Sequence, residues 1–216
     1  MAPPVPRIHF HVGDLPEGID LGSEIAVDIE TNGIKPTFNR VCLIQLRGRN
    51  TDIHLIQIKY GQTKAPNLRK LLESKKSVKI MQYARTDIAF MKNQLNISCM
   101  PIFCTKIASK LVRTYTERHG LKELMREFFN IDISKQQQQS DWGVDKLSEE
   151  QKEYAASDVL YLHDLKDKMV ELLEREKRMH IAQKCFEFLP TRAELDCQGW
   201  DDMDIFAHNK GIYARD

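Results

Sequence analysis

Three acidic motifs stand out among the residues whose types and spacing could do chemistry, and the first is a pair of carboxylates. Asp28 and Glu30 lie two residues apart in the run EIAVDIE, so that a β-strand would place both carboxylates on one face. Two carboxylates at the end of an apolar strand repel each other and lose hydration, unless a cation compensates. The pair therefore indicates a metal site, with a strand that simply runs out into solvent as the alternative.

Further along the chain, an aspartate and a tyrosine–aspartate pair could contribute to the same kind of metal site. Asp87 follows a predicted strand at the start of a helix, where a carboxylate can also be no more than a favourable N-terminal charge. Tyr154 and Asp158 are four residues apart on a predicted helix and share one face. An exposed aspartate beside a core tyrosine is the alternative for that pair.

The combination is more specific than any one motif. Two divalent cations would neutralise the four carboxylates of Asp28, Glu30, Asp87 and Asp158. Oxygen ligands suit Mg²⁺ or Mn²⁺ rather than zinc, and two such ions can clamp the attacking and leaving oxygens of a phosphodiester displacement. Tyr154 lies one helical turn before Asp158. Because the ordinary pKa of tyrosine is ~10, its predicted role is to orient the attacking water rather than to deprotonate it.

Periodicity predicts the elements that must position these residues. Short β-branched runs at 24–30, 41–46, 53–58 and 78–82 predict strands, and apolar spacing predicts helices at 67–74, 86–95 and 121–129. A longer helix begins at Ser148, which forms a capping box with Gln151, and continues to about residue 172. The order of elements predicts one α/β domain with a mixed sheet flanked by helices, spanning residues 1–190. Residues 191–216 form an acidic, aromatic tail or interface element.

Composition narrows the possible partners. The chain has 216 residues, with 32 Lys plus Arg against 31 Asp plus Glu, a formal net charge of +1. Proteins that hold long nucleic acids by bulk electrostatics carry a strong basic excess, so any such ligand should be short or held locally. Five cysteines without a C-x-x-C motif indicate reduced thiols and a cytoplasmic protein. No apolar run or N-terminal pattern predicts a membrane helix or a secretion signal.

The three acidic motifs also resemble a known set. DIET at 28–31, QYARTD ending at Asp87 and YAASD at 154–158 are similar to the three exonuclease motifs of the DEDD superfamily. A tyrosine four residues before the last aspartate is typical of its DEDDy branch. CLIQL at 42–46 and KQQQQSDW at 135–142 extend the resemblance to ribonuclease D, from about residue 20 to residue 175.

Longer stretches resemble nanoRNase C (NrnC), the short ribonuclease D-like enzymes of alphaproteobacteria. They are FCTKIASKLVRTYTERHGLKE at 103–123, ISKQQQQSDW at 133–142, CFEFLPTRAELD at 185–196 and DIFAH at 204–208. Ribonuclease D proper continues into helical HRDC domains, and too few residues follow residue 176 here for such a domain. The resemblance implies the ribonuclease H-like DEDD exonuclease fold without an HRDC domain. It also implies a homo-octamer to which the tail after residue 190 contributes.

The activity that the resemblance implies is 3′–5′ hydrolysis of very short RNA, chiefly dinucleotides, to nucleoside 5′-monophosphates. A general 3′–5′ exonuclease that trims longer RNA or DNA is the first alternative, supported by the basic cluster at 113–122. A catalytically silent nucleic-acid-binding or scaffold protein is the second. All four carboxylates are present, which argues against the second alternative.

The resemblance also suggests substrate contacts. Ile34 matches an apolar residue that wedges between the two bases, although an ordinary loop residue is an equal alternative. Thr31 is a candidate for the 3′ end of the substrate, and Gln82 stands near the position where relatives have His or Asn. Polar donors that position a nucleic-acid backbone are expected at Lys135, Gln138 and Ser140, or these form a solvated loop. Candidates for a 5′-phosphate site, chosen by residue type, are Tyr83, Arg85, Arg113, Tyr115, Arg118 and His119.

Overall fold

A computed structural model describes residues 6–134 and 136–207 of the chain. The strands are β1 (Ile8–Val12), β2 (Glu24–Thr31), β3 (Val41–Gly48), β4 (Ile53–Gln57), β5 (Val78–Met81) and β6 (Ile102–Cys104). The helices are α1 (Pro66–Leu72), α2 (Ala84–Leu95), α3 (Thr105–Val112), α4 (Leu121–Phe129), α5 (Glu149–Leu160), α6 (Leu162–Arg175) and α7 (Met179–Cys197).

All six strands form one mixed sheet in the order β1-β4-β3-β2-β5-β6. β2, β3 and β4 are antiparallel neighbours, β5 and β6 run parallel to β2, and β1 runs parallel to β4. The β-branched and leucine-rich runs of β3 and β4 are buried on both faces, because helices cover the sheet on either side. This arrangement confirms the predicted α/β fold with a mixed sheet flanked by helices.

Two elements differ from the prediction. β1 was not predicted, because its IHFHV run is short and half-exposed at the edge of the sheet, where histidines alternate with apolar residues. The single helix predicted from residue 148 is two helices, since Tyr161 between α5 and α6 leaves helical geometry with φ −112° and ψ 2°. The capping box of Ser148 and Gln151 at the start of α5 is confirmed.

The C-terminal part of the described chain is dominated by α7, which packs against α2. Pro190 lies inside this helix, and the domain boundary predicted at residue 190 therefore falls within one continuous element. Leu189 and Ala193, on either side of Pro190, are both buried in the core. Proline normally ends or kinks a helix, but α7 continues through Pro190 to Cys197. None of the helices at 6–134 and 136–207 combines the length and hydropathy needed to cross a bilayer.

A buried lysine ties the sheet to two loops at its edge. Lys79 on β5 is fully buried, and its ammonium donates hydrogen bonds to the carbonyls of Ser74 (2.7 Å), Ser77 (2.7 Å) and Met100 (2.6 Å). Burial lowers the pKa of Lys79 to about 8. Lys79→Met would leave three carbonyl acceptors without their donor, so we expect a loss of about 3 kcal/mol in the free energy of unfolding. Urea denaturation measures this, with the exposed Lys75→Met as control; equal midpoints for both variants would contradict it.

Candidate active site

The acidic site lies at the carboxyl end of two parallel strands. Asp28 and Glu30 belong to the last residues of β2, and the register of β2 against β3 shifts just after Glu30. β5 runs parallel to β2 and leads into α2, which carries Asp87 in its first turn. Because the carboxyl ends of parallel strands meet at the same edge of a sheet, the two motifs converge although they are far apart in sequence.

α5 brings the third motif to the same place. It crosses the sheet over β2, β3 and β4 and buries Ala155, Ala156 and Val159 against it. Tyr154 and Asp158, one turn apart, are left half-buried at the end of β2. One carboxylate oxygen each from Asp28, Glu30 and Asp158 lies within 4.8 Å of the other two.

Asp87 completes the acidic set as its most buried member. The residue is 7% exposed, and within residues 6–134 and 136–207 its buried Oδ2 has no hydrogen-bond partner. Burial raises the pKa of all four carboxyls, and repulsion between neighbouring carboxylates raises the pKa of Glu30, Asp87 and Asp158 further. Four crowded carboxylates with an orphaned oxygen fit divalent cations such as Mg²⁺ or Mn²⁺, whose charge would offset the repulsion and whose preferred ligands are oxygens.

Tyr154 is held as a neutral hydroxyl. Burial raises the pKa of Tyr154, and the negative charges of Asp158, Glu30 and Asp28 raise it further. The hydroxyl interacts with Asp158 and lowers the pKa of that carboxyl, against the larger effect of burial, which raises it. A tyrosine in this state can donate a hydrogen bond, and the geometry therefore favours orientation of a reactant over proton abstraction.

A cavity of about 300 Å³ opens onto the carboxylates and carries both signs of charge. Lys106 and Lys122 line it together with Gly120, which is the N-cap residue of α4. The Lys106 ammonium lies 3.8 Å from the ring centroid of Tyr83. A helix N-terminus and two lysines beside a carboxylate cluster suit a ligand that has an anionic group some distance from its metal-bound part.

Three of the predicted substrate contacts line this cavity. They are Gln82, Tyr83 and Gln138. The Gln82 amide donates to the carbonyl of His119 at 2.8 Å and accepts from the Thr105 hydroxyl, so its orientation is fixed by the protein. Tyr83 is 44% exposed and Gln138 is exposed, so both are free to meet a ligand.

Three other candidates are engaged within the protein. The Arg113 guanidinium is buried and ion-paired with Glu127. The His119 ring is buried at 2.8 Å from the Ser109 hydroxyl. The Arg85 guanidinium makes two hydrogen bonds to Asp196 on α7, at 2.6 and 2.8 Å. These contacts give the three side chains a structural role, and their proposed part in a 5′-phosphate site stays a prediction.

The remaining candidates that the structure describes do not line this cavity. Thr31 donates its hydroxyl to the carbonyl of Gly33 at 2.6 Å, and Ile34 is 86% exposed in the loop after β2. Ser140 accepts a hydrogen bond from Gln151. Tyr115 and Arg118 line a neighbouring groove, and Lys135 lies outside the described residues.

Sequence reasoning missed the lysines. Lys106 follows β6 by two residues, and β6 is parallel to β5, so its position at the same edge of the sheet was the available signal. Lys122 belongs to the basic cluster at 113–122, which supported an alternative function as a group and did not single out this lysine. Neither lysine matches a short motif, and the strand order was needed to find them.

Comparison with known sequences identifies matching families. A family model described as 3′–5′ exonuclease matches residues 13–174. Protein RRP6-like 2 of Arabidopsis thaliana is 31% identical over 145 residues, 66% of this chain and 16% of that protein. Ribonuclease D of Gluconacetobacter diazotrophicus is 29% identical over 155 residues, 72% of this chain and 39% of that protein. The chain thus spans well under half the length of these curated relatives.

Solved structures give a more complete match. Brucella melitensis NrnC superposes with a TM-score of 0.91 at 50% sequence identity, covering 94% of this chain and 99% of that chain. The same protein has been solved with bound Mg²⁺, at 48% identity and a TM-score of 0.90 over 94% of this chain and 100% of that chain. It has also been solved bound to pGG, at 48% identity and a TM-score of 0.91 over 95% of this chain and 100% of that chain.

Proposed function

The chain belongs to the 3′–5′ exonuclease family and, within it, to the NrnC group of ribonuclease D-like proteins, and from this premise we propose that it hydrolyses very short RNA. The proposed substrates are chiefly dinucleotides, cleaved to nucleoside 5′-monophosphates with two divalent cations, Mg²⁺ or Mn²⁺. The observation that carries the proposal is the convergence of Asp28, Glu30 and Asp158 within 4.8 Å, beside Asp87 and the neutral hydroxyl of Tyr154.

Each residue of the site has a role in this reaction. The four carboxylates would hold the cations, which when bound stabilise negative charge on the attacking and leaving oxygens of the phosphodiester. The Tyr154 hydroxyl orients the attacking water by hydrogen bonding, as its raised pKa keeps it protonated. Gln82, oriented by the His119 carbonyl, presents a fixed polar group to the nucleotide.

Several features support a short substrate. NrnC of Brucella melitensis was solved bound to pGG, and here the carboxylates and two lysines line one cavity of about 300 Å³. We assign the 5′-phosphate to Lys106 and Lys122 beside Tyr83, since these residues line the same cavity as the carboxylates. Ile34, exposed in the loop after β2, is proposed to separate the two bases. A cytoplasmic homo-octamer with residues after 190 at a subunit contact is part of the same proposal.

A general 3′–5′ exonuclease acting on longer RNA or DNA is the second candidate. The observation that favours it is a groove lined by Arg118, Lys122 and Arg126, which adjoins the cavity through Lys122. A strand longer than a dinucleotide could follow these side chains, because a nucleic-acid backbone is held mainly by basic residues.

A product time course on 5′-phosphorylated RNAs of two to seven nucleotides separates the two functions. We expect the dinucleotide to disappear at least about tenfold faster than any longer RNA, because only its 5′-phosphate reaches the lysines while its 3′ end is at the carboxylates. EDTA should stop the reaction, and Mg²⁺ or Mn²⁺ should restore it. If all lengths shorten at similar rates, the protein is a general exonuclease and the length limit does not exist.

A further inference from the structure

The buried indole of Trp142 packs against the Tyr154 ring. The indole is 2% exposed, and its ring centroid lies 6.0 Å from that of Tyr154 with 41° between the planes. Its buried Nε1 has no hydrogen-bond partner among the residues that the structure describes. The indole is therefore held by packing alone, and its position depends on the backbone that carries it.

Side chains from three elements fix that backbone. Gln151 on α5 donates to the Ser140 hydroxyl at 3.0 Å and to the Asp141 carbonyl at 3.1 Å. Arg40, just before β3, donates to the Gly143 carbonyl at 3.0 Å. Gln57, the last residue of β4, donates to the carbonyl of residue 144 at 2.9 Å. The segment 140–144 is thus fastened on both sides of Trp142.

The Tyr154 hydroxyl interacts with Asp158, while its ring borders two open spaces. It lines the active-site cavity on one side and, on the other, a second groove formed with residues 131–134, 136–137 and 160–161. A side chain between two open spaces can change its rotamer at little steric cost, and a shift of about 1 Å in a catalytic group can cost about a hundredfold in rate. Packing on the Trp142 indole restrains the Tyr154 ring.

We propose that Trp142 is a positioning residue, whose clamped indole keeps the Tyr154 hydroxyl aimed at the carboxylate cluster. This inference rests on the proposed function, because it gives Tyr154 its role in orienting water. It also gives the segment 140–142 a function distinct from direct substrate contact. The unpaired indole N–H carries a cost in stability, and packing against Tyr154 is the compensating gain.

A double-mutant cycle tests the proposal. We expect Trp142→Leu to lower kcat on a 5′-phosphorylated dinucleotide by about tenfold with KM nearly unchanged, since the hydroxyl is misplaced but the substrate contacts remain. In the Tyr154→Phe background the same substitution should cost nothing further. Phe10→Leu, which alters a 37% exposed aromatic residue on β1, is the matched control and should leave kcat unchanged.

The outcomes separate this inference from the proposed function. If Tyr154→Phe lowers kcat and Trp142→Leu costs the same factor in both backgrounds, the positioning role is wrong while the proposed function stands. If Tyr154→Phe alone has no effect, the water-orienting role itself fails. Thermal melting identifies a variant that does not fold, and in that case Trp142→Phe, which keeps an aromatic ring, is put through the same cycle and judged by the same criteria.

Discussion

Asp28→Asn is expected to abolish turnover, lowering kcat by about a thousandfold or more, and to raise the melting temperature of the metal-free protein. The carboxylate lies within 4.8 Å of Glu30 and Asp158, so its loss removes a ligand and also a repulsive charge. Activity and stability should therefore move in opposite directions, which loss of folding cannot produce.

Dinucleotide hydrolysis and thermal melting, each with and without Mg²⁺, measure both effects. Mg²⁺ should raise the melting temperature of the wild-type protein by mass action and that of Asp28→Asn much less. Asp145→Asn is the matched control, because Asp145 is exposed in the loop before α5. Wild-type turnover by Asp28→Asn would refute the two-metal site.

Tyr154→Phe is expected to lower kcat by about a hundredfold while KM changes by less than about twofold. The hydroxyl is neutral, interacts with Asp158 and is assigned to the attacking water, so its contribution is made mainly in the transition state. Removal of one oxygen leaves the ring packed on Trp142, and the fold should be unchanged.

Steady-state kinetics on a 5′-phosphorylated dinucleotide test this split between kcat and KM. Tyr60→Phe serves as control, because Tyr60 is 89% exposed in the turn after β4. A change confined to KM would mean that Tyr154 binds the substrate rather than orients water. The two parameters therefore distinguish the roles directly.

Spacing along the chain predicted the parts of the site that depend on local geometry. Asp28 and Glu30 share a face because strand residues alternate, and Tyr154 and Asp158 share a face because a helix repeats every 3.6 residues. The capping box at Ser148 was predictable for the same reason, since its partners are three residues apart. These relations involve neighbours in sequence, and no tertiary information is needed to see them.

Long side chains were predicted less well, because their partners come from distant parts of the chain. Arg85 binds Asp196, which is 111 residues away, and Arg113 binds Glu127 on helix α4. An arginine has the same appearance in a sequence whether it faces solvent or a carboxylate. Residue type alone therefore does not show which arginines are already paired within the protein.

The acidic motifs, their spacing and the α/β order of elements were enough to predict a two-metal phosphodiesterase chemistry. The arrangement of the sheet, with β5 and β6 parallel to β2, decided that Lys106 stands at the same edge as the carboxylates. Tertiary packing also placed Trp142 against Tyr154 and kept helix α7 continuous through Pro190. The physical reason is that the spacing of residues in a strand or helix is a local property. Burial and the choice of partner instead depend on packing between elements far apart in sequence.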